Sequence, residues 1–356
     1  MMETPEDIRK ALFALLRAGL WNRKPDLDCF PLSESGWNRL YSHARKQTVE
    51  GLVYDGILHL PDDFWPPQAL LLKWVVLIDS LERRNTEMNT AIEELKQWFA
   101  HHGITAVLLK GQEVASCYEK PLHRVCGDID WYIPYQKDYK TLLRMLAREG
   151  LAWERQPGFS IGCHWKGFII EFHRRMLDIH NPFVLSYLWK LQQSQHFQSW
   201  VLSHLIVNSH ILKHMLSFGI GLRQLCDSAR VCHASSALLD RELMEKVYRK
   251  VGMYRWVQAL NSVLVRELGL AEEDLPFPLS SSVEEANWLV QEVWAGGNFG
   301  FFDERFGKQP RPWQKRKHVV RHLLHRFLLH VRYVPSEACW FPPVQFYSRI
   351  FVYFNL

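Results

Sequence analysis

The feature that most restricts how this chain of 356 residues can fold is a change of hydrophobic period, met twice along its length. Before residue 100 apolar side chains recur at helical spacing. Trp37, Leu40, Tyr41 and Ala44 form one such set, and a long segment from Gln68 to Ala100 carries Leu77, Leu81, Met88, Ile92, Leu95 and Phe99. Pro61, Pro66 and Pro67 mark the connection between them, because proline lacks an amide hydrogen and keeps the residue before it out of a helix. After His101-His102-Gly103 the pattern becomes strand-like. Ile104 to Leu109 is a short β-rich run that stops at Lys110-Gly111 and reads as a buried strand. A short helix is expected over 112–119 and a second strand over 129–133. Tyr139, Leu142, Leu143 and Leu146 mark one face of a helix ending at Gly150, and Leu151 to Glu154 and Gly167 to His173 are further strands. From Phe183 helical spacing returns through Leu202, Leu205, Ile206, Leu212, Met215 and Leu216, then through Leu222 to Cys232 and Arg241 to Leu268. The expected fold class is α+β: a small mixed sheet with flanking helices at residues 101–182, a helical N-terminal segment at 1–100, and an all-helical C-terminal region at 183–356.

Composition narrows the function classes. Lysine and arginine number 43 against 38 acids, a net charge of +5, which tolerates a phosphorylated ligand without forming a dedicated nucleic-acid coat. The seven cysteines are scattered, with no CxxC pair, so reduced thiols are the default. Acids occupy the opening residues where a secretion signal would carry bases. The most apolar stretch, Leu70 to Ile78, falls far short of the roughly 20 residues that span a bilayer. The expectation is a cytoplasmic protein without a membrane span. In the last 50 residues bases alternate with aliphatics, as in Lys315-Arg316-Lys317-His318 followed by Val319, Val320, Leu323, Leu324 and Phe327. This reads as a helix docked on the body with a solvated basic face, or as a phosphate or membrane contact.

The chemistry concentrates in Arg124-Val125-Cys126-Gly127-Asp128-Ile129-Asp130. Asp128 and Asp130 are two apart at the mouth of a strand, so both carboxylates leave one face and can reach one point. Either they are solvated acids at a strand edge, or they hold a divalent cation, Mg²⁺ or Mn²⁺, that also binds phosphate oxygens. Lys110-Gly111 ends one strand and opens a helix, where a lysine and free amides can receive phosphate, and the glycine lets it approach the backbone. Glu171 lies between apolar residues on a strand that should be interior. It is there a third metal ligand, or else a buried acid bonded to a backbone amide or an arginine. His210 and His214, four apart on a helix, share a face; the spacing suits zinc or a packed pair, and no HExxH pattern accompanies it. Arg223 and Asp227 are spaced for an i,i+4 pair.

These residues resemble the nucleotidyltransferase superfamily of the DNA polymerase β type, and within it the uncharacterised bacterial nucleotidyltransferase family. The likeness is carried by Leu108-Leu109-Lys110-Gly111, Tyr118, Pro121, Arg124, Gly127-Asp128-Ile129-Asp130 and Glu171-Phe172-His173. It continues with His204, His210, His214 and the run Leu222 to Asp227, and more loosely with Gly296-Gly297-Asn298-Phe299-Gly300. The resemblance implies a nucleotidyltransferase-type sheet and transfer of a nucleoside monophosphate from a nucleoside triphosphate (NTP). Asp128, Asp130 and Glu171 would be the catalytic metal ligands; Lys110, Gly111, Arg124 and Gly127 would meet the phosphates. His173, His210, His214, Arg223 and Asp227 would border the cleft. One departure stands out: Gln112 follows Gly111 where the superfamily usually has Ser or Gly. The function expected is Mg²⁺-dependent transfer to a small-molecule or protein hydroxyl. The alternatives are a catalytically silent protein that binds a nucleotide or partner for regulation, and RNA binding through the basic C-terminal stripe.

Overall fold

The computed structural model describes residues 3–192, 199–279, 283–303, 305 and 312–353. Helix α1 (Pro5–Trp21) opens on a reciprocal cap, in which Thr4 Oγ1 accepts the Asp7 amide and the Asp7 carboxylate accepts the Thr4 amide. Helix α2 (Glu34–Lys46) buries Trp37, Leu40 and Ala44. Helix α3 (Glu50–Ile57) lies against α1 at two glycines: a Cβ on Gly19 would sit 1.9 Å from the Leu52 carbonyl oxygen, and one on Gly56 2.0 Å from that of Leu15. Helix α4 (Gln68–His101) runs 34 residues, about 50 Å. Its first half buries Leu70, Trp74 and Ile78 in a helical core shared with α1 to α3, and its second half buries Met88, Ile92, Leu95 and Phe99 beneath the sheet.

The sheet contains β1 (Val107–Leu109), β2 (Ile129–Tyr132), β3 (Trp153–Gln156), β4 (Ser160–Trp165) and β5 (Phe168–His173), in the order β1-β2-β5-β4-β3. Only β2 and β5 pair in parallel; the other neighbours are antiparallel. Helix α5 (Gly111–Ala115) follows β1, and α6 (Gln136–Arg148) returns the chain across the core face with Leu142 and Leu146. Two expectations change here. β1 is an edge strand with Val107 42% exposed, so the run before Lys110 is not interior. The sheet also gains β4, whose buried Ile161 and Cys163 flank Gly162, a poor strand former, and which is bounded by turns with positive φ at Gly158-Phe159 and Lys166-Gly167.

The C-terminal part is helical: α7 (Pro182–Gln192), α8 (Ser199–Leu216), α9 (Leu222–Ser235), α10 (Arg241–Val251), α11 (Tyr254–Leu268), α12 (Val283–Gly296), α13 (Pro312–His330) and α14 (Pro335–Tyr353). The apolar run from Arg241 to Leu268 divides at Gly252, whose φ of 76° ends α10 in the left-handed conformation. On helix α13 Arg321 is exposed, but the bases further along turn inward. His322, Arg326 and His330 are buried, whereas Val320, Leu324 and Leu328 are exposed. Arg326 is drawn inward by Glu292 at 2.7 Å and Asp303 at 3.7 Å, and Arg305 joins the same two acids. The side chains of the run Lys315 to His318 lie outside the described residues. Among the described residues no helix is long and apolar enough to cross a membrane.

Candidate active site

The parallel pairing of β2 with β5 sets the geometry. Asp130 lies opposite Glu171 and Tyr132 opposite His173, while Ile129, Trp131, Ile170 and Phe172 point into the core. One alternation therefore buries the aliphatic and aromatic residues and turns Asp130, Glu171 and His173 to the other face. There His173 Nε2 lies 2.6 Å from Asp130 Oδ1 and 3.5 Å from Glu171 Oε2. Lys110 Nζ stands 3.5 Å from the same Asp130 oxygen. One ligand atom each from Asp130, Glu171 and His173 fall within 4.8 Å of one another. Asp128 faces the same cleft, but no such group among the described residues includes it, because it precedes β2 and lacks the register that fixes Asp130.

The turn after β1 brings Lys110 in. Lys110 has φ 45° and is followed by Gly111 with φ 48°, so the chain reverses sharply between strand and helix. Gln112, at the position where the superfamily usually has Ser or Gly, does not turn toward this face; its Nε2 donates to Asn85 Oδ1 at 3.2 Å. Asn85 is buried on α4 and donates to the carbonyls of Leu122 and Arg124, so it holds the segment leading to Asp128. No feature of the local sequence pointed to Asn85.

These groups line a cavity of about 1070 Å³ between the polar sheet face and the helices α8, α9, α13 and α14. The residues expected to hold metal, meet the phosphates or border the cleft line it: Lys110, Gly111, Arg124, Gly127, Asp128, Asp130, Glu171, His173, His210, His214, Arg223 and Asp227. The contribution of α13 and α14 to the far wall was not expected, whereas Asn298 and Phe299 belong to the run that carried the looser likeness. Leu323, Phe327, Phe341 and Phe346 come from α13 and α14, and Asn298 and Phe299 from the turn after α12. Phe299 holds a left-handed φ of 51° and packs on His214, ring centroids 4.7 Å apart.

The charges are unequal in their surroundings. Burial opposes ionisation of Asp130, but Lys110 and the His173 hydrogen bond outweigh it and hold the carboxyl well below the usual range. Burial, with the charge of Asp130, raises the Asp128 and Glu171 carboxyls. Lys110 stays protonated because Asp130, Asp178, Asp128 and Glu171 together overcome its burial. Arg223 and Asp227 do not form the expected i,i+4 pair. Asp227 instead takes Arg124 through two bonds of 2.7 Å and the Tyr118 hydroxyl at 2.6 Å. Arg223 donates to the Val125 carbonyl at 2.6 Å, and its Nε is buried without a hydrogen-bond partner. His210 and His214 meet edge to face at 4.4 Å. His210 Nδ1 contacts Asp178, which in turn receives Lys213. Asp178 was missed because it stands alone in the loop after β5, with no motif around it.

The span matched by a family model described as uncharacterised nucleotidyltransferase is residues 33–266. The chain belongs to that family. No curated protein and no solved structure matches it. The stretch shared with the nucleotidyltransferase family runs from the start of α2 into α11 and holds the whole sheet, Lys110 and both carboxylate-bearing strands. The apolar far wall, from Asn298 to α14, lies beyond it.

The donor set suits a hard divalent cation. Carboxylate oxygens of Asp130 and Glu171 converge beside a further carboxyl, Asp128, whose ionisation is penalised by burial and by Asp130, and His173 would join them as a donor on giving up the hydrogen it shares with Asp130. A cation there would relieve that repulsion.

Proposed function

We propose that this member of the nucleotidyltransferase family moves a nucleoside monophosphate from an NTP to an acceptor hydroxyl, with Mg²⁺ or Mn²⁺ held at Asp130 and Glu171 and Asp128 alongside. The observation that carries the reading is the register of β2 and β5, which sets Asp130 and Glu171 side by side on one face of the sheet, within reach of Lys110. A bound cation supplies positive charge against the reacting phosphoryl group and the departing pyrophosphate.

The chain's own residues divide the remaining work. Lys110 offers a compact ammonium to phosphate oxygens at the cleft floor, and Arg223 carries a guanidinium with no carboxylate within salt-bridge distance among the described residues. Arg124, bound to Asp227, shapes the segment before Asp128 rather than reaching for substrate. The aromatic far wall excludes water from the side opposite the carboxylates, which strengthens each electrostatic contact inside. The acceptor is a small molecule or a protein side chain, since the cavity is walled on several sides.

Calorimetric titration with ATP and Mg²⁺ tests the reading: the wild type should bind, and Asp130→Asn, checked by circular dichroism for an intact fold, should not. Pyrophosphate release from each NTP with Mg²⁺ or Mn²⁺ and a cell extract then separates an enzyme from a silent binder, which would bind without turnover. Equal binding by wild type and Asp130→Asn sinks the metal-centred reading.

A further inference from the structure

Beside the carboxylates lies a second group of polar residues, built on α8 and the loop after β5. His210 Nδ1 stands 2.8 Å from Asp178 Oδ2, and Asp178 Oδ1 stands 2.9 Å from Lys213 Nζ. Lys110 Nζ approaches the same His210 nitrogen at 3.2 Å while facing Asp130 at 3.5 Å. One ammonium therefore separates His210 from the candidate metal ligand.

Proton placement follows from these contacts. Asp178 is ionised, since Lys213 and the His210 hydrogen bond outweigh its burial, so it has no hydrogen to give. Two lone pairs cannot rest 2.8 Å apart, and the shared hydrogen must belong to His210 Nδ1. That nitrogen has no lone pair left for Lys110, whose ammonium is held by Asp130. The ring's remaining lone pair is on Nε2, which has no hydrogen-bond partner among the described residues, and His210 lines the cavity. His214, one turn onward, stacks edge to face on the ring at 4.4 Å and is itself backed by Phe299, so the ring plane is fixed. An imidazole with one nitrogen tied to a buried carboxylate and the other open to a cleft is the arrangement of an oriented base.

We propose that His210 is the catalytic base of the transfer, taking the acceptor hydroxyl's proton on Nε2, and that Asp178 is the positioning residue that fixes its tautomer. The inference rests on the nucleotidyl-transfer reading above. As the acceptor oxygen bonds to the α-phosphorus, its O–H bond breaks and the proton passes to Nε2. The bond from phosphorus to the bridging oxygen breaks, and pyrophosphate leaves with that electron pair. The imidazolium, stabilised by Asp178, then returns its proton to water. Burial and the neighbouring Lys110 hold the His210 pKa down to about 4, which keeps the lone pair available in the free protein. When a triphosphate draws Lys110 toward its oxygens, that cation's effect weakens and the added negative charge makes the base stronger.

Nitrogen-15 spectra of the full chain at neutral pH, with His210 assigned by its loss in His210→Gln, read the tautomer without any turnover. The expected ring is neutral with hydrogen on Nδ1, and Asp178→Asn should abolish that preference. A hydrogen on Nε2, or a doubly protonated ring, overturns the proposal. Kinetics with ATP, Mg²⁺ and molar glycerol as the hydroxyl donor form the second arm. There His210→Gln should lower kcat by about 10²- to 10⁴-fold with KM little changed, and calorimetric ATP binding should stay within twofold of wild type. A variant that releases pyrophosphate at the wild-type rate overturns the base while leaving the transferase reading standing. Failure of the wild type to bind ATP removes the transferase reading itself.

Discussion

Arg124 holds Asp227 with Nε on one carboxylate oxygen and Nη2 on the other, both at 2.7 Å and both residues buried. This bidentate link joins the segment before β2 to α9 and so fixes the separation of the two cleft walls. Removing one partner leaves an uncompensated buried charge, and Asp227→Ala should lower unfolding stability by about 3–5 kcal/mol. The Asp227 carboxyl is held below its ordinary range by Arg124 against the cost of burial. Its contribution is therefore present above the unfolded value and is lost as pH falls through the folded one. Urea unfolding of wild type and Asp227→Ala at pH 7 checks the magnitude; equal midpoints would contradict it.

Glu171→Gln should cost at least tenfold in Mn²⁺ affinity, because it removes one charged donor from a three-donor group. Electron paramagnetic resonance titration with Mn²⁺ alone measures this without any nucleotide. Unaltered affinity would place the cation elsewhere.

Glu50, at the start of α3, gives a pH dependence of opposite sign to Asp227. Burial raises its pKa from 4.5 to about 7 against the pull of Arg45 and Arg223, and its Oε2 has no hydrogen-bond partner. In the unfolded chain it ionises near 4.5, while in the folded chain it keeps its proton until about 7. Stability is thus lost as pH rises through that window, and above it the full penalty, on the order of 1–3 kcal/mol, applies. Glu50→Gln should leave stability at pH 4 little changed and raise it at pH 8. Urea midpoints at the two pH values decide the matter, and a variant no more stable than wild type at pH 8 refutes it.

Gly56→Ala places a methyl group 2.0 Å from the Leu15 carbonyl oxygen, a clash with backbone that no rotamer relieves. Helices α1 and α3 would have to separate, at a cost of about 3 kcal/mol or more. Differential scanning calorimetry should show a clearly lower Tm, whereas Gly103→Ala, where a Cβ meets nothing within 4 Å, should cost less, the loss there being only the strain of an alanine at a left-handed φ of 62°.

The parts of the site that were legible in the sequence are those where one strand carries its own evidence. Asp130 and Glu171 each interrupt an apolar run, and Lys110-Gly111 punctuates a strand end. What sequence could not reveal depends on partners brought from afar. Asp178 gains meaning only when α8 places His210 and Lys213 around it. Arg124 looked free for phosphate until α9 supplied Asp227, more than a hundred residues onward. The stripe on α13 was read from its composition, yet Arg326 is drawn inside by Glu292 and Asp303, which leaves aliphatic side chains facing out. Strand β4 escaped notice because Gly162 lowers its strand propensity and turns close it at both ends.

The 34 residues of α4 carry a consequence for how the protein comes apart. One unbroken rod supplies Trp74 to the helical core and Phe99 to the underside of the sheet. Neither core can lose its packing without stripping apolar surface from a helix that the other still needs. Heating should accordingly dissolve both together, in a single cooperative transition rather than two successive melts.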